Sequence, residues 1–358
     1  RRSSAEAGES EVREMSRILR SADPLERAQT WLDFVHTLDP SSFLAVVSDF
    51  RAAGFNSSHK AEYGQLLSAW ARVDPLGALN YASEETDGTF ARNTILASWA
   101  ASDPDRAIIW AETNHDGEGA NPWLTGVIQG LAPDDRDRAT HLLTQLPYSN
   151  ERGQALNAML PTLLEAGSTA AKDWVAGIDD DTLREGAVRR LAEQLAREDP
   201  RETADWLVSL PENETNRAID DVMDVWTRQN EDEAVAFFDS LPSGETRTNA
   251  LRGIASRMAT DDPQAAADFL DTHGGDADDR VYSQFVWHAF NEAPDIAATQ
   301  IANISDPAQQ ERLYRRTLDR WLWRDLDTAS QWINTNPLPD SVYQRALQRI
   351  EDFKRRRQ

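Results

Sequence analysis

Trp99 and Trp110 flank Asp103-Pro104 in the stretch WAASDPDRAIIW. Indole faces beside carboxylates are the parts of a sugar-cleaving cleft, in which two acids about 5–10 Å apart act on a stacked sugar. Two Gly-acid segments, Asn114-His-Asp-Gly-Glu118 and Thr272-His-Gly-Gly-Asp276-Ala-Asp278-Asp279, place hard oxygen ligands at alternate positions, as a Ca²⁺ loop does. Neither completes the ~12-residue loop with its closing Glu. Both stand where Gly stops one helix and Asp caps the next. The six histidines are scattered, and no His-Glu-x-x-His, Gly-x-Ser-x-Gly elbow or phosphate loop is present. With no cysteine, disulfides, thiolate chemistry and Cys-based zinc sites are excluded. The residue types therefore lead to no catalytic group, no metal ligand and no cofactor.

The Asp-Pro pair recurs, and recurrence points to architecture. Aligning on it exposes anchors at Asp74, Asp103, Asp135, Gly167, Asp199, Asn230, Asp262, Ala293 and Asp325, spaced 29, 32, 32, 32, 31, 32, 31 and 32 residues apart. Four residues after each anchor stands Ala, or Thr203 in one copy; seven after stands mostly an aromatic residue, such as Trp110, Trp174, Trp206 or Trp332. Four before stands a large apolar residue, including Trp70, Trp99, Trp226 and Trp321, or Ala289 in one copy. Apolar residues at −11, −8, −7 and −4 make one face of a helix, and those at +4 and +7 the inner face of a second. Asp at the anchor is an N-cap and the Pro after it an N1 residue whose missing N–H is harmless. Leu146-Pro147, Leu210-Pro211 and Leu241-Pro242 end second helices.

Each unit thus predicts a helix of about four turns, a tight corner and a helix of about three turns. One hairpin cannot bury its own apolar face, so neighbours must stack. The expected fold is all-α, an α/α superhelix (solenoid) of about ten stacked hairpins over residues 11–358. An extra helix near 41–55 fills the long gap before Asp74, and a capping helix covers 340–356. Residues 1–10, polar and small, are expected as a flexible tail or linker. A signal or anchor removed upstream of them would place the protein in the periplasm or cell envelope.

This W-x3-D-P-x2-A-x2-W pattern resembles the tetratricopeptide-like superhelices and, more loosely, HEAT-type arrays. The resemblance covers nearly the whole chain as architecture, although the period is 31–32 residues and the corner is Asp-Pro. It implies a curved solenoid that binds a partner polypeptide. No family functional residue matches, so none is carried over.

Tryptophans outside the core register are the informative ones. Trp123, at −12, is expected to be partly buried. Trp287 stands at −6 and Trp323 at −2 in the next copy, on a face that elsewhere carries Glu193 with Arg197 and Asp224 with Arg228. Arg312, Arg316 and Arg320 form an i,i+4 row nearby, with Arg315 and Arg324 beside it. Two readings stand for the pair: a partner-binding patch, or cover by the final helix. Two stand for the row: a grip on acidic peptide or phosphate groups, or a solvated face paired with Glu311, Asp319 and Asp325. The candidate partner-binding residues are Trp287, Trp323, Arg312, Arg316 and Arg320.

Charge narrows the partners. Sixty-one acids against 37 bases give a formal net charge of −24, a field that repels nucleic acid and favours cationic partners. No apolar run reaches the ~20 residues of a membrane span. The sequence favours a non-enzymatic scaffold for a protein or peptide partner. The alternatives are a helical-toroid enzyme acting on polysaccharide or peptidoglycan, and a self-associating structural protein of the envelope.

Overall fold

An Asp side chain that accepts amide hydrogen bonds, followed by a residue already locked near helical φ, is a strong local start signal. A computed structural model describes residues 4–85, 89–216 and 218–357, and shows how often this signal is used. Asp103, Asp135, Asp199, Asn230, Asp262 and Asp325 each accept from first-turn amides of the helix that follows. Asp74 accepts from the Gly77 amide at 2.9 Å. Gly167 meets the same corner with a φ of 100°, and Ala293 has no side-chain cap. At the other end of second helices, Leu146 and Leu241 turn extended before their prolines.

The chain is all-α: the described residues hold 24 α-helices, three short 3₁₀ turns and no strand. Thr89–Ser102 and Pro104–Thr113 show the pattern, 14 residues and then 10. The eight alanines at +4, from Ala78 to Ala329, are all 0 % exposed, and Thr203 is 1 % exposed. Small side chains at this position let the paired helices approach closely. Rings at −4 and +7 then close four of the corners. Trp70 meets Tyr81, Trp99 meets Trp110, Trp226 meets Phe237, and Trp321 meets Trp332, with centroids 5.2–6.0 Å apart and planes inclined by 46–55°. In WAASDPDRAIIW, therefore, Trp99 is core, Trp110 packs on it, and Asp103 holds the Arg106 amide at 3.3 Å.

Contacts divide the chain into two compact units, one ending at Trp174 and the other beginning at Val175, where the sequence reading has a single array. Hairpins that touch only their neighbours give few long-range ties, so such chains separate readily into sub-units. In the first unit Thr89–Ser102 packs between Lys60–Val73 and Leu124–Leu131. In the second, Glu245–Asp261 packs between Ile219–Gln229 and Asp279–Ala289. Polar bonds bridge neighbouring hairpins about one period apart. Ser98 donates to the Ser68 carbonyl and Arg138 pairs with Asp105 in the first unit; Arg189 pairs with Asp221 and Arg252 with Asp220 in the second.

Glycine sets the closest approaches. A Cβ at Gly130 would lie 2.1 Å from the Ala97 carbonyl oxygen, and one at Gly253 would lie 2.2 Å from that of Asp220. These helices touch backbone to backbone. The tail expected over 1–10 is corrected in part: Ser4–Leu19 is a helix, and residues 1–3 lie outside the described ones. Met15, Ile18 and Leu19 share one buried stripe, which gives that helix a core contact the opening composition does not reveal. The segment before Asp74 forms a turn at Pro40–Ser42, then Phe43–Ala52 and the single turn Phe55–Ser58. Asp340–Arg357 closes the chain, with Val342, Ala346 and Ile350 buried. No described helix is long and apolar enough to cross a membrane.

Candidate functional site

Pro307–Arg324 carries the arginine row because its other face is fully committed. Leu313, Tyr314, Thr317, Leu318, Trp321 and Leu322 are buried on that side. Tyr314 is 2 % exposed, and burial pushes its phenol up to about 12. The helix starts at Asp306, which caps the Ala308 amide, with Pro307 at N1.

One carboxylate aligns this helix with Asp279–Ala289. Asp279 accepts from the Ser305 amide at 2.7 Å, the Ser305 hydroxyl at 2.9 Å and the Asp306 amide at 2.9 Å. Those donors favour the ionised form and hold Asp279 below the usual carboxylate value. Further along, Gln309 donates to the Ser283 hydroxyl, and Arg324 donates to the Asn291 carbonyl. The register between the helices is therefore pinned at both ends, which brings Trp287 against the arginines.

The geometry is a cation–aromatic plate. The Arg316 guanidinium carbon lies 3.6 Å from the Trp287 ring centroid and 5.3 Å from that of Phe290. Trp287 and Phe290 meet edge to face at 6.0 Å and 87°. Arg320, one turn on, lies 5.4 Å from the Trp323 ring. A groove of about 540 Å³ runs beside Trp287, lined by Arg312, Arg315 and Arg316 with Ser283 and Gln309. Arg312, Arg316 and Trp287 thus share one groove, while Arg320 and Trp323 form its continuation along the helix.

The final helix leaves the two indoles open: Trp287 is 45 % exposed and Trp323 63 %. Two of the nearby acids are engaged elsewhere. Asp319 pairs instead with Arg349 at 3.0 Å and Arg345 at 3.5 Å, both from Asp340–Arg357. Asp325 turns to the Thr328 amide and hydroxyl. Among the described residues no ion pair joins Arg312, Arg315, Arg316 or Arg320 to a carboxylate. Chemically, a guanidinium stacked on indole keeps its edge N–H groups available, and these fit carboxylate or phosphate oxygens two at a time.

The remaining off-register residues have structural partners. Trp123 is half-buried, meets Trp110 edge to face at 5.1 Å and donates its indole N–H to the Asn114 carbonyl at 3.1 Å. On the charged face, Glu193 and Arg197 pair at 3.1 Å as spaced. Asp224 differs: it pairs with Arg257 of the neighbouring hairpin at 3.6 Å, not with Arg228 one turn on. Burial raises the Asp224 carboxyl and lowers the His288 imidazole, whose Nδ1 lies 3.0 Å from the Thr260 hydroxyl.

Most acids of the two Gly-acid segments are engaged within the protein. Asp116 accepts the Glu118 amide, Asp276 pairs with Arg247, and Asp278 caps the Arg280 and Val281 amides. Among the described residues no three His, Asp or Glu side chains converge as a metal cage. Sequence reading misses Phe290, Gln309 and the Asp279 clamp; only the Asp278-Asp279 pair at a helix start signals the last. No family model matches the chain, and no curated protein matches it.

Proposed function

We propose that this chain is a non-enzymatic scaffold of helical-hairpin repeats, of the tetratricopeptide-like kind. It binds a polypeptide partner over Trp287, Arg312, Arg316, Arg320 and Trp323. The observation that carries the reading is the unneutralised arginine row stacked on two exposed indoles, in a chain of net charge −24. Exposed Trp and Arg are the side chains that most often dominate binding energy at interfaces. The partner surface is anionic, since guanidinium edges satisfy carboxylates or phosphorylated side chains. Buried Ala and paired rings at one period support the repeat reading, because they are packing devices and leave little of the chain for chemistry.

The test compares wild type with a Trp287→Ala/Trp323→Ala double variant of unchanged circular dichroism and melting. Both are immobilised and exposed to native lysate at about 0.05 M and 0.3 M salt, between which a charge-based contact weakens. The reading expects a partner that wild type keeps at low salt and the variant loses. A partner held equally by both sinks this surface. Turnover in a polysaccharide or peptidoglycan screen would sink the non-enzymatic reading.

A further inference from the structure

The other unit carries an apolar groove of its own. It is a groove of about 820 Å³ beside Lys60–Val73. Its floor is made of small side chains at helical spacing, Ala61, Gly64, Ser68 and Ala69. Leu32 and Phe43 wall one side, and Phe90 of the next hairpin walls the other. Leu32, Phe90 and Val73 are 43 %, 37 % and 52 % exposed, so apolar surface is left facing water.

The charges are the telling part. Acids outnumber bases 61 to 37 in the chain, yet among the described residues no carboxylate lines this groove. Lys60 stands at one end of the floor, with its ammonium 4.7 Å from the Phe90 ring centroid, and Arg72 stands at the other. Neither has an ion-pair partner among the described residues. Twelve residues of helix separate them, ~18 Å at about 1.5 Å per residue. An acyl chain with one carboxylate would need a cation at one end only. Cations at both ends of an apolar trough fit a segment of about three helical turns with apolar anchors on one face and acids at each end.

We infer that this groove docks an acidic amphipathic helix of a partner protein, apolar face down on Gly64 and Ala69, with its terminal acids on Lys60 and Arg72. The inference goes beyond the Trp–Arg surface and stands without it.

The probe is a fluorescein-labelled 16-residue helical peptide with Leu at i, i+3, i+4 and i+7 spacing and Glu elsewhere. Its twin carries Lys in place of Glu. Gly64→Leu fills the floor: a Cβ there meets only the Phe90 ring, at 3.4 Å, so the backbone tolerates it. Lys60→Glu/Arg72→Glu reverses the ends. Anisotropy titrations should show saturable binding of the Glu peptide, weakened about 10-fold or more by either change and untouched by Trp287→Ala/Trp323→Ala. Binding of the Lys twin to this acidic protein should ignore Gly64→Leu.

Five outcomes overturn the inference. The Glu peptide does not bind, or it binds wild type and both groove variants alike. It is lost in the tryptophan variant while Gly64→Leu retains it, which assigns it to the Trp–Arg surface. A fluorescent 16-carbon fatty acid binds in a Gly64-dependent way and the peptide does not. Sedimentation shows a dimer that Gly64→Leu abolishes, which makes a second copy the occupant. Circular dichroism and melting of each variant verify the fold.

Discussion

Ser68 and Arg72 in the first unit occupy the same repeat positions, −6 and −2, as Trp287 and Trp323 in the second. The inward positions around them hold the same types of residue in both units, and the outward positions have diverged. In the first unit small side chains leave a trough with a cation at each end. In the second, indole and guanidinium plate the face and leave a shallower groove. The buried positions vary little, with Ala at +4 in eight of nine copies and a large apolar residue at −4 in eight of nine. The repeat does not constrain what faces water, and there the copies are free to acquire binding surfaces. In both units that surface carries cations unpaired among the described residues, within a strongly acidic chain, which is why both proposals name an anionic partner.

The sharpest way to break this comparison is to truncate the same residue type in the two registers. Trp226, at −4, is 1 % exposed and packs on Phe237; Trp323, at −2, is 63 % exposed. Trp226→Ala is expected to lose roughly 3–5 kcal/mol, the cost of an aromatic-sized cavity in a close-packed core. Trp323→Ala is expected to stay within about 0.5 kcal/mol, as surface changes do. Urea unfolding followed by circular dichroism measures both. Similar losses would mean that the outward face is structural, and the functional reading of Trp323 would fall with that result.

Next in size is the clamp that builds the second surface. Asp279→Asn keeps the shape of the side chain and removes the charge that three donors share, with an expected loss of about 1–2 kcal/mol. The first unit supplies the control, since its groove holds no such clamp among its lining residues. The dependence on pH follows from a folded pKa below the ordinary 3.8. Stabilisation from Asp279 is fully present above that value and is lost as pH falls through the lower folded one. Wild type and Asp279→Asn should therefore differ in melting at pH 6 and converge as the pH approaches 2. A gap that persists undiminished in acid would show that the charge is not what holds Ser305 and Asp306.

Much of this organisation is legible in the sequence because it repeats. Asp at the corner, Ala four residues on and a ring seven on recur often enough to reveal their jobs without a structure. The Arg312–Arg316–Arg320 row is legible from i,i+4 spacing against an acidic background. Features made between hairpins are not. Gly130 and Gly253 look like weak points of their helices until the Ala97 and Asp220 carbonyls are seen beneath them. Asp319 reads as a partner for the row on its own helix, yet Arg345 and Arg349 reach it from Asp340–Arg357. The trough beside Gly64 needs side chains from four separate helices, and no single stretch carries its signal. Ser4–Leu19 is missed for a different reason: its opening is polar enough to read as a tail, while Met15, Ile18 and Leu19 near its end are buried.

The smallest expected effect tests whether the trough is kept open at a cost. Gly64 sits inside the Lys60–Val73 helix, where glycine is less favourable than alanine by roughly 0.5–1 kcal/mol. Packing does not demand it, since an added Cβ comes no closer than 3.4 Å to the Phe90 ring. Gly253 offers the contrast, because there the same addition would drive the helices apart. Gly64→Ala should therefore raise the urea midpoint, gaining about 0.5–1 kcal/mol, whereas Gly253→Ala should lower it. A gain at Gly64 means that this helix carries a residue its own stability disfavours, as expected where an incoming segment needs the room. A loss at Gly64 would instead make the glycine a packing residue like Gly253 and remove the comparison's basis for treating the first unit's outer face as a site.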